Sequence, residues 1–222
     1  LHHRVARDIP ERFAVKLVTV LQSAEQPKGR AIVDNSKFGI CVIGHLRDEK
    51  DPLRAALAAR HLPETSAIRI INAGRAHSPE WENNALAEQA ANPRFKWLGE
   101  VDKPTIQQLM LRSRAMVISS IMEGGANVVS EACRAGLPVI ASDISGNVGL
   151  LGDDYPGYFS VGDDTDLARI IQRAEQSPEF LEELADRVVK LASNFTPEAE
   201  QAALLAAMDR AVAERARLSR EA

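Results

Sequence analysis

Short runs of β-branched and apolar residues alternate with longer amphipathic runs along most of the chain, starting at Phe38. Each short run has the length of one strand and each longer run the length of one helix, so the pattern indicates repeated βαβ units, which form a parallel sheet. Six segments are predicted as strands: 38–44, 68–73, 94–99, 116–120, 138–142 and 158–161. The expected fold class is therefore α/β, with helices on both faces of the sheet.

The amphipathic runs predict helices over 52–60, 79–90, 104–113, 126–135, 164–175, 178–193 and 197–217. Several begin with proline in the first turn, where its missing N–H removes no hydrogen bond, and Gly136 is expected to end the fourth. Before Phe38 we expect a helix near 9–16 and a strand-like run over 17–23. The resulting division is an N-terminal segment over 1–37, a ligand-binding domain over 38–177 and C-terminal helices over 178–222.

The charge balance and the two cysteines exclude several classes of protein. The chain carries 27 Lys and Arg against 31 Asp and Glu, a net charge of −4, without a basic stripe, so no nucleic-acid partner is expected. Cys41 and Cys133 lie in separate apolar segments and predict buried thiols. No apolar run approaches about 18 residues, which predicts a cytoplasmic protein without a membrane span. The first residue is Leu1 and not Met, which suggests that an upstream part is missing.

The loop after the fourth predicted strand is the strongest candidate for a binding site. Its sequence, EGGANVVSE, covers 123–131, and loops at the carboxyl ends of parallel strands are where such sheets bind ligands. Gly124 and Gly125 allow close approach to the backbone, and the N–H groups of 124–127 suit a diphosphate. Glu131 lies roughly 10 Å further along the same helix face, about the distance from a phosphate to its nucleoside.

An ordinary strand-to-helix connection with a solvated glutamate is the alternative interpretation of this loop. The residues around Glu131 argue against it, because Val128, Val129, Ala132 and Cys133 make the helix apolar over most of its circumference. A carboxylate in such surroundings needs a partner, and ligand hydroxyls can supply one.

Two further loops reach the same edge of the sheet. After the first strand, Gly44 is followed by His45, Arg47 and Lys50, which suit phosphate binding, although a charged surface turn is the alternative. After the third strand, Gly99 and Val101 could place backbone groups against a flat base.

Other chemistries lack their motifs. Asp164 and Asp166 form a DxD, but they open a predicted helix and are expected to cap it, so no metal site is predicted. The chain has no catalytic Ser/His/Asp order, HExxH, P-loop or GxGxxG after the first strand, which counts against hydrolases, zincins, NTPases and NAD-dependent enzymes.

Together these residues resemble the C-terminal half of the group 1 retaining glycosyltransferases, whose GT-B architecture places two Rossmann-like domains across a cleft. The resemblance runs from about 38 to 175. It rests on the first-loop pair Gly44 and Lys50, the LGxV element Leu98, Gly99 and Val101, the E-x7-E motif Glu123 and Glu131, and the EAxxAGxPVIAS continuation over 131–142.

The resemblance implies a role for each matching residue. Glu123 would contact hydroxyls of the transferred sugar, Glu131 would bind the ribose, and Lys50 would neutralise the diphosphate of a nucleoside-diphosphate sugar. Glu123 and Lys50 are the catalytic candidates, and neither a cofactor nor a metal is expected. The predicted donor-binding residues are Gly44, His45, Arg47, Lys50, Gly99, Val101, Glu123, Gly124, Gly125, Ala126, Asn127 and Glu131.

Two positions depart from the family pattern. His45 occupies the place of a phosphate-binding Arg, for which Arg47 is the candidate substitute, and Gly149 stands where the family often has Glu. The second departure leaves 146–148 as the visible lining of that part of the pocket. These features are similar to those of the selenosugar synthases, which join N-acetylglucosamine from its uridine diphosphate (UDP) donor to selenophosphate.

The leading hypothesis is therefore the donor-binding half of a hexosyl-type glycosyltransferase, which binds its donor but needs a missing N-terminal domain for turnover. A nucleotide-sugar epimerase of the same architecture and a non-catalytic nucleotide-binding module are the alternatives.

Overall fold

The protein folds around one six-stranded parallel sheet, as the alternating pattern predicts. In the computed structural model, which describes residues 2–7, 9–14, 16–29, 34 and 36–221, the strand order is β3-β2-β1-β4-β5-β6. The strands are β1 Phe38–Ile43, β2 Ile68–Ala73, β3 Phe95–Trp97, β4 Ala115–Ile118, β5 Val139–Ser142 and β6 Tyr158–Phe159. All six predicted strands are confirmed, with ends that differ by at most two residues.

The strand order reverses direction between β1 and β4, which pair in parallel with Ile40 opposite Ala115 and Cys41 opposite Met116. From β1 the chain builds outward through β2 to β3, and from β4 it builds the other way through β5 to β6. Crossovers between parallel strands are right-handed, so the two directions place their helices on opposite faces. A crevice opens at such a switch point, outside the carboxyl ends of the two central strands.

The helices cover the sheet and enclose a continuous apolar core. They are α1 Glu11–Ala14, α2 Arg54–Ala59, α3 Pro79–Ala91, α4 Lys103–Arg112, α5 Asn127–Ala135, α6 Ser145–Leu151, α7 Asp164–Gln176, α8 Pro178–Leu191 and α9 Pro197–Glu221. Gly136 ends α5 in the left-handed conformation (φ 67°), as predicted. Cys41 and Cys133 are buried free thiols, and burial raises the pKa of each to about 12.

Helix α6 is a helix that the sequence analysis missed. Its two glycines, Gly146 and Gly149, lower its helix propensity, and its last six residues are buried. Tertiary packing therefore overrides local propensity here.

The strand expected over 17–23 is absent: these described residues form no strand. The backbone at its end is bound by the C-terminal helical region instead, since the Ser23 N–H donates to Glu200 Oε2 (3.0 Å) and the Ala24 N–H to the Phe195 carbonyl (2.9 Å). The helix expected near 9–16 is shorter, at Glu11–Ala14, and residue 15 lies outside the described residues.

Helices α8 and α9 follow the sheet. Helix α8 packs against α5 and α7, while Leu204, Leu205, Met208 and Val212 of α9 remain exposed. Within the described ranges, no helix has the length and apolar character needed to cross a membrane. The division of the chain at 37 and 177 stays a prediction.

Candidate functional site

A cleft of about 460 Å³ lies at the carboxyl ends of the central strands. It is lined by ten of the twelve predicted donor-binding residues: Gly44, His45, Arg47, Lys50, Val101, Glu123, Gly125, Ala126, Asn127 and Glu131. Gly99 and Gly124 do not line it. Gly99 shapes a turn instead, with φ 71° and a carbonyl that accepts from the Gly74 N–H (2.8 Å), and Gly124 is exposed at the tip of its loop.

An ion pair joins the two catalytic candidates across the middle of the cleft. The Lys50 ammonium donates to Glu123 Oε1, which also accepts a hydrogen bond from Ser120 Oγ at 2.6 Å. Only 20% of the Lys50 side chain and 11% of the Glu123 side chain are exposed. Both charges are thus held in a setting where solvent screens them weakly.

The loops that carry this ion pair are tied together by their backbones. Lys50 lies in a short 3-10 turn, Asp48–Lys50, whose following residue Asp51 has a left-handed φ of 42°. Ser119 Oγ donates to the carbonyl of Asp51 (2.8 Å), and the Ile121 N–H donates to the carbonyl of Glu49 (2.8 Å). The position of Lys50 relative to Glu123 is therefore fixed by the fold.

Helix α6 supports Glu123 from behind. A Cβ on Gly146 would lie 2.3 Å from the Glu123 carbonyl oxygen, so only glycine permits this approach. Ser142 Oγ donates to the Ser120 carbonyl (2.6 Å), and Asn147 Nδ2 donates to Ser142 Oγ (3.0 Å). These buried hydrogen bonds hold the end of β5 against the residues that follow β4 and lead to Glu123.

The start of α5 lines the cleft with Ala126 and Asn127, and no side chain caps its backbone N–H groups, although the Val129 N–H donates to the Ala126 carbonyl (2.9 Å). Ala126 occupies the N-cap position and has no side-chain oxygen to accept from the N–H groups of the first turn, and that turn contains no acidic residue. Gly125, with φ 114°, turns the chain into the helix. The helix dipole and these donors together favour an anion at this point.

Glu131 lies one turn further along α5, where burial raises its pKa; the charge of Lys103 opposes this shift and that of Glu25 adds to it. Its Oε1 accepts a hydrogen bond from Asn127 Nδ2 at 3.3 Å. Asn127 Oδ1 is buried and has no hydrogen-bond partner within the part of the chain that the structure describes. At this end of the cleft, the Asn127 amide oxygen can therefore accept a hydrogen bond from a ligand.

His45 is held as an acceptor. Its Nδ1 accepts from the Arg75 N–H (3.2 Å), and its ring centroid lies 5.1 Å from that of His77. Burial lowers the pKa of His45, and the charges of His77 and Arg75 lower it further, so the imidazole is neutral near pH 7. Arg47, the second cation of this loop beside Lys50, has its Nε 3.8 Å from Glu49 Oε2.

Six further residues, which were not among the predicted site residues, line the cleft: Ile43, Ala73, Gly74, Glu100, Ile106 and Val128. Gly74 had a usable signal, because it follows a strand directly. A Cβ on Gly74 would lie 1.9 Å from the carbonyl oxygen of Gly44, so this glycine lets two strand-end loops meet.

The Gly149 position, where the family pattern has Glu, faces the N-terminal residues. A Cβ on Gly149 would lie 2.4 Å from His2 Nδ1, and His2 is buried against α6. The space that a larger side chain would need is thus filled by this imidazole.

The DxD residues have structural partners. The N-cap of α7 is Asp163, whose side chain accepts from the Asp166 N–H, so the expectation that the DxD itself caps the helix is wrong. Asp164 pairs with His61 (2.9 Å) and Asp166 with Arg169 (2.7 Å). Among the described residues, no group of three or more His, Cys, Asp or Glu side chains could hold a metal ion.

The parallel sheet, with its cleft at the switch point, defines a Rossmann-like domain of the kind found in GT-B proteins. The family of group 1 glycosyl transferases matches residues 22–194, which is well over half of the chain. The chain belongs to this family.

The chain is also similar to individual proteins over part of their length. The chain is 27% identical over 136 residues to the Escherichia coli UDP-Gal:alpha-D-GlcNAc-diphosphoundecaprenol alpha-1,3-galactosyltransferase, covering 59% of this chain and 34% of that protein. Anabaena HepE in complex with UDP is 20% identical with a TM-score of 0.71, over 79% of this chain and 49% of HepE. A Rickettsia africae glycosyltransferase is 17% identical with a TM-score of 0.68, over 79% and 48%. The chain therefore spans half or less of the length of these relatives.

Proposed function

We propose that this chain binds a nucleoside-diphosphate sugar in the cleft and that, within a longer protein, it serves transfer of the sugar to an acceptor. One observation carries the proposal: along 123–131 the uncapped N-terminus of α5 follows Glu123, which is paired with Lys50, and precedes the half-buried Glu131, and all of these residues line the same cleft. This order matches the order of sugar, diphosphate and ribose in such a donor.

The diphosphate would lie on the first turn of α5, beside Lys50. An ammonium group has three N–H donors, so Lys50 can keep its bond to Glu123 and still donate to two phosphate oxygens. Charge-assisted bonds of this kind would stabilise the nucleoside diphosphate as it leaves, which requires no metal. Arg47, at the rim, would add a second cation.

The sugar and the ribose would bind at opposite ends. Glu123, fixed by Lys50 and Ser120, would accept hydrogen bonds from hydroxyls of the transferred sugar. Glu131 and Asn127 Oδ1, which has no hydrogen-bond partner among the described residues, would accept them from the ribose. Ligand hydroxyls would thereby satisfy the polar atoms that the fold leaves open.

Relatives favour uridine diphosphate as the nucleotide. The E. coli relative is described as acting on UDP-Gal, and the HepE structures contain UDP, UDP with glucose, or UDP-glucose. We propose UDP-N-acetylglucosamine as donor and selenophosphate as acceptor, on the resemblance to selenosugar synthases. Since the chain spans half or less of its relatives, we expect it to bind the donor without turnover.

Calorimetric titration of the chain with UDP tests donor binding, with uridine as the matched ligand that lacks the diphosphate. We expect heat on addition of UDP, a rise in melting temperature, and much weaker binding of uridine. No heat and no thermal shift with UDP would overturn the proposal.

Product analysis with the longer protein tests the reaction. Incubation with UDP-N-acetylglucosamine and selenophosphate should release UDP and form a selenium-linked sugar. Appearance of an epimeric nucleotide sugar would identify an epimerase instead, and binding with no product from any acceptor would identify a nucleotide-binding module.

A further inference from the structure

A second cavity continues the donor cleft beyond Glu131. It has a volume of about 280 Å³ and shares four lining residues with the cleft: Ile43, Val101, Ile106 and Glu131. Its other lining residues are Glu25, Pro27, Lys103, Gln107 and Met110. Apolar walls with a few convergent polar groups are typical of pockets that hold a flat ring.

The polar rim of this cavity is an ion pair between two distant parts of the chain. Lys103 Nζ donates to Glu25 Oε2 at 2.9 Å. Lys103 is the first residue of α4, and the N-cap Asp102 accepts from the Thr105 N–H (3.0 Å). Glu25 follows Ala24, whose N–H donates to the Phe195 carbonyl, so both backbones are anchored.

Folding stability does not explain this pair. The side chains of Lys103 and Glu25 are 61% and 69% exposed, and ion pairs this exposed contribute little to stability. Each partner strengthens the charge of the other, since their hydrogen bond raises the pKa of Lys103 and lowers that of Glu25. A carboxylate acceptor and an ammonium donor therefore stand side by side at the rim.

The order of groups along the cleft places a base here. With the diphosphate on the first turn of α5 and the ribose on Glu131, the base must lie on the far side of Glu131 from the phosphates. That side is the second cavity, whose rim reaches Glu131 closely enough for Lys103 and Glu25 to affect its pKa.

We propose that Glu25 and Lys103 contact the Watson–Crick edge of uracil and determine which nucleoside diphosphate this chain accepts. The inference rests on the proposed function. Uracil presents a ring N–H beside a carbonyl oxygen. Glu25 accepts from the N–H, and Lys103 donates to the carbonyl. Cytosine presents a bare ring nitrogen at the same position, which repels the carboxylate.

Affinities for UDP, cytidine diphosphate and inorganic pyrophosphate, measured by calorimetry, test this assignment in the wild type and in Glu25→Gln and Lys103→Met. Glu64→Gln and Lys96→Met change the same charges at exposed positions outside the cavity lining and serve as controls. We expect each rim variant to bind UDP about tenfold more weakly, the loss of one charge-assisted hydrogen bond. The preference for UDP over cytidine diphosphate should shrink accordingly, and pyrophosphate affinity should stay unchanged.

Two results would overturn the inference while leaving donor binding intact. An unchanged preference for UDP in both variants would mean that the pair does not contact the base. Equal weakening of UDP and pyrophosphate would mean that it acts only through general charge. A wild type that binds neither UDP nor pyrophosphate would instead overturn the proposed function itself.

Discussion

Glu123 and Glu131 both line the cleft and lie eight residues apart, but their surroundings differ. Glu123 is satisfied by the protein: Lys50 and Ser120 both donate to its Oε1, and Gly146 packs against its backbone. Among the described residues, the one hydrogen bond to Glu131 comes from Asn127 Nδ2 (3.3 Å), and burial raises the pKa of Glu131. The fold itself provides hydrogen-bond donors for the Glu123 carboxylate, whereas in the proposed function the ligand provides them for Glu131.

This difference suggests how the cleft divides its work. Under the proposed function, the groups at the Glu123 end that would meet developing charge are already held in place without the donor, as electrostatic preorganisation requires. At the Glu131 end, unused polar capacity favours binding, since a ligand hydroxyl removes a cost that the empty protein carries. Removing a group should therefore have opposite effects on stability at the two ends.

The largest effect is expected for Lys50→Met. It leaves the Glu123 carboxylate mostly buried without its cation, so the free energy of unfolding should fall by about 3 kcal/mol. UDP affinity should fall by about thirtyfold, from the loss of charge-assisted bonds to phosphate. Chemical denaturation and calorimetry measure both quantities, with the exposed Lys96→Met as control. Stability equal to the wild type would show that Glu123 does not depend on Lys50.

Much of this arrangement could be predicted from the sequence. Strand ends in a parallel sheet share one edge, so the loops carrying Lys50, Val101 and Glu123 were expected to meet. The direct pairing of Lys50 with Glu123 was not predictable, because these residues are far apart along the chain and their contact depends on loop geometry. The contact between Glu25 and Lys103 was not predicted either, for the same reason.

Two further differences between sequence and structure have local causes. Helix α6 was not predicted, because Gly146 and Gly149 lower the helix propensity of this segment. Gly146 is nevertheless required for the close packing against Glu123. The prediction of a strand over 17–23 was wrong, because β propensity does not show whether a partner strand exists.

The next effect in size is expected for Gly146→Ala. The added Cβ would lie 2.3 Å from the Glu123 carbonyl oxygen, so either the loop or α6 must shift. We expect the free energy of unfolding to fall by about 1–3 kcal/mol, together with weaker UDP binding. Gly39→Ala is the matched control, because its Cβ would meet its nearest neighbours at an ordinary 3.8 Å. If Gly146→Ala behaved like Gly39→Ala, the support of Glu123 by α6 would be refuted.

The smallest effect, and the one of opposite sign, is expected for Glu131→Gln. Glutamine keeps an oxygen that can accept from Asn127 and removes the charge. UDP affinity should fall about fivefold, since a charged acceptor for the ribose is lost. The melting temperature of the ligand-free chain should rise slightly near pH 7, because the variant no longer buries a carboxylate. A loss of both affinity and stability would mean that the protein itself satisfies the Glu131 carboxylate, as it does that of Glu123.

The pH dependence of the stability difference between the wild type and Glu131→Gln tests whether the ionised Glu131 carboxylate destabilises the ligand-free protein or is stabilised by Lys103. Burial raises the folded-state pKa of Glu131 above its usual value of 4.5, so the wild type loses stability relative to Glu131→Gln as pH rises from that value through the raised one. The pH-dependent part of the gap should vanish well below 4.5, where the acid is protonated in both states, and should be constant above the raised pKa. Saturating UDP should close it, because ribose hydroxyls then solvate the carboxylate. A gap of opposite sign, with the wild type gaining stability as pH rises, would mean that Lys103 holds Glu131 ionised and that both ends of the cleft are satisfied before the ligand binds.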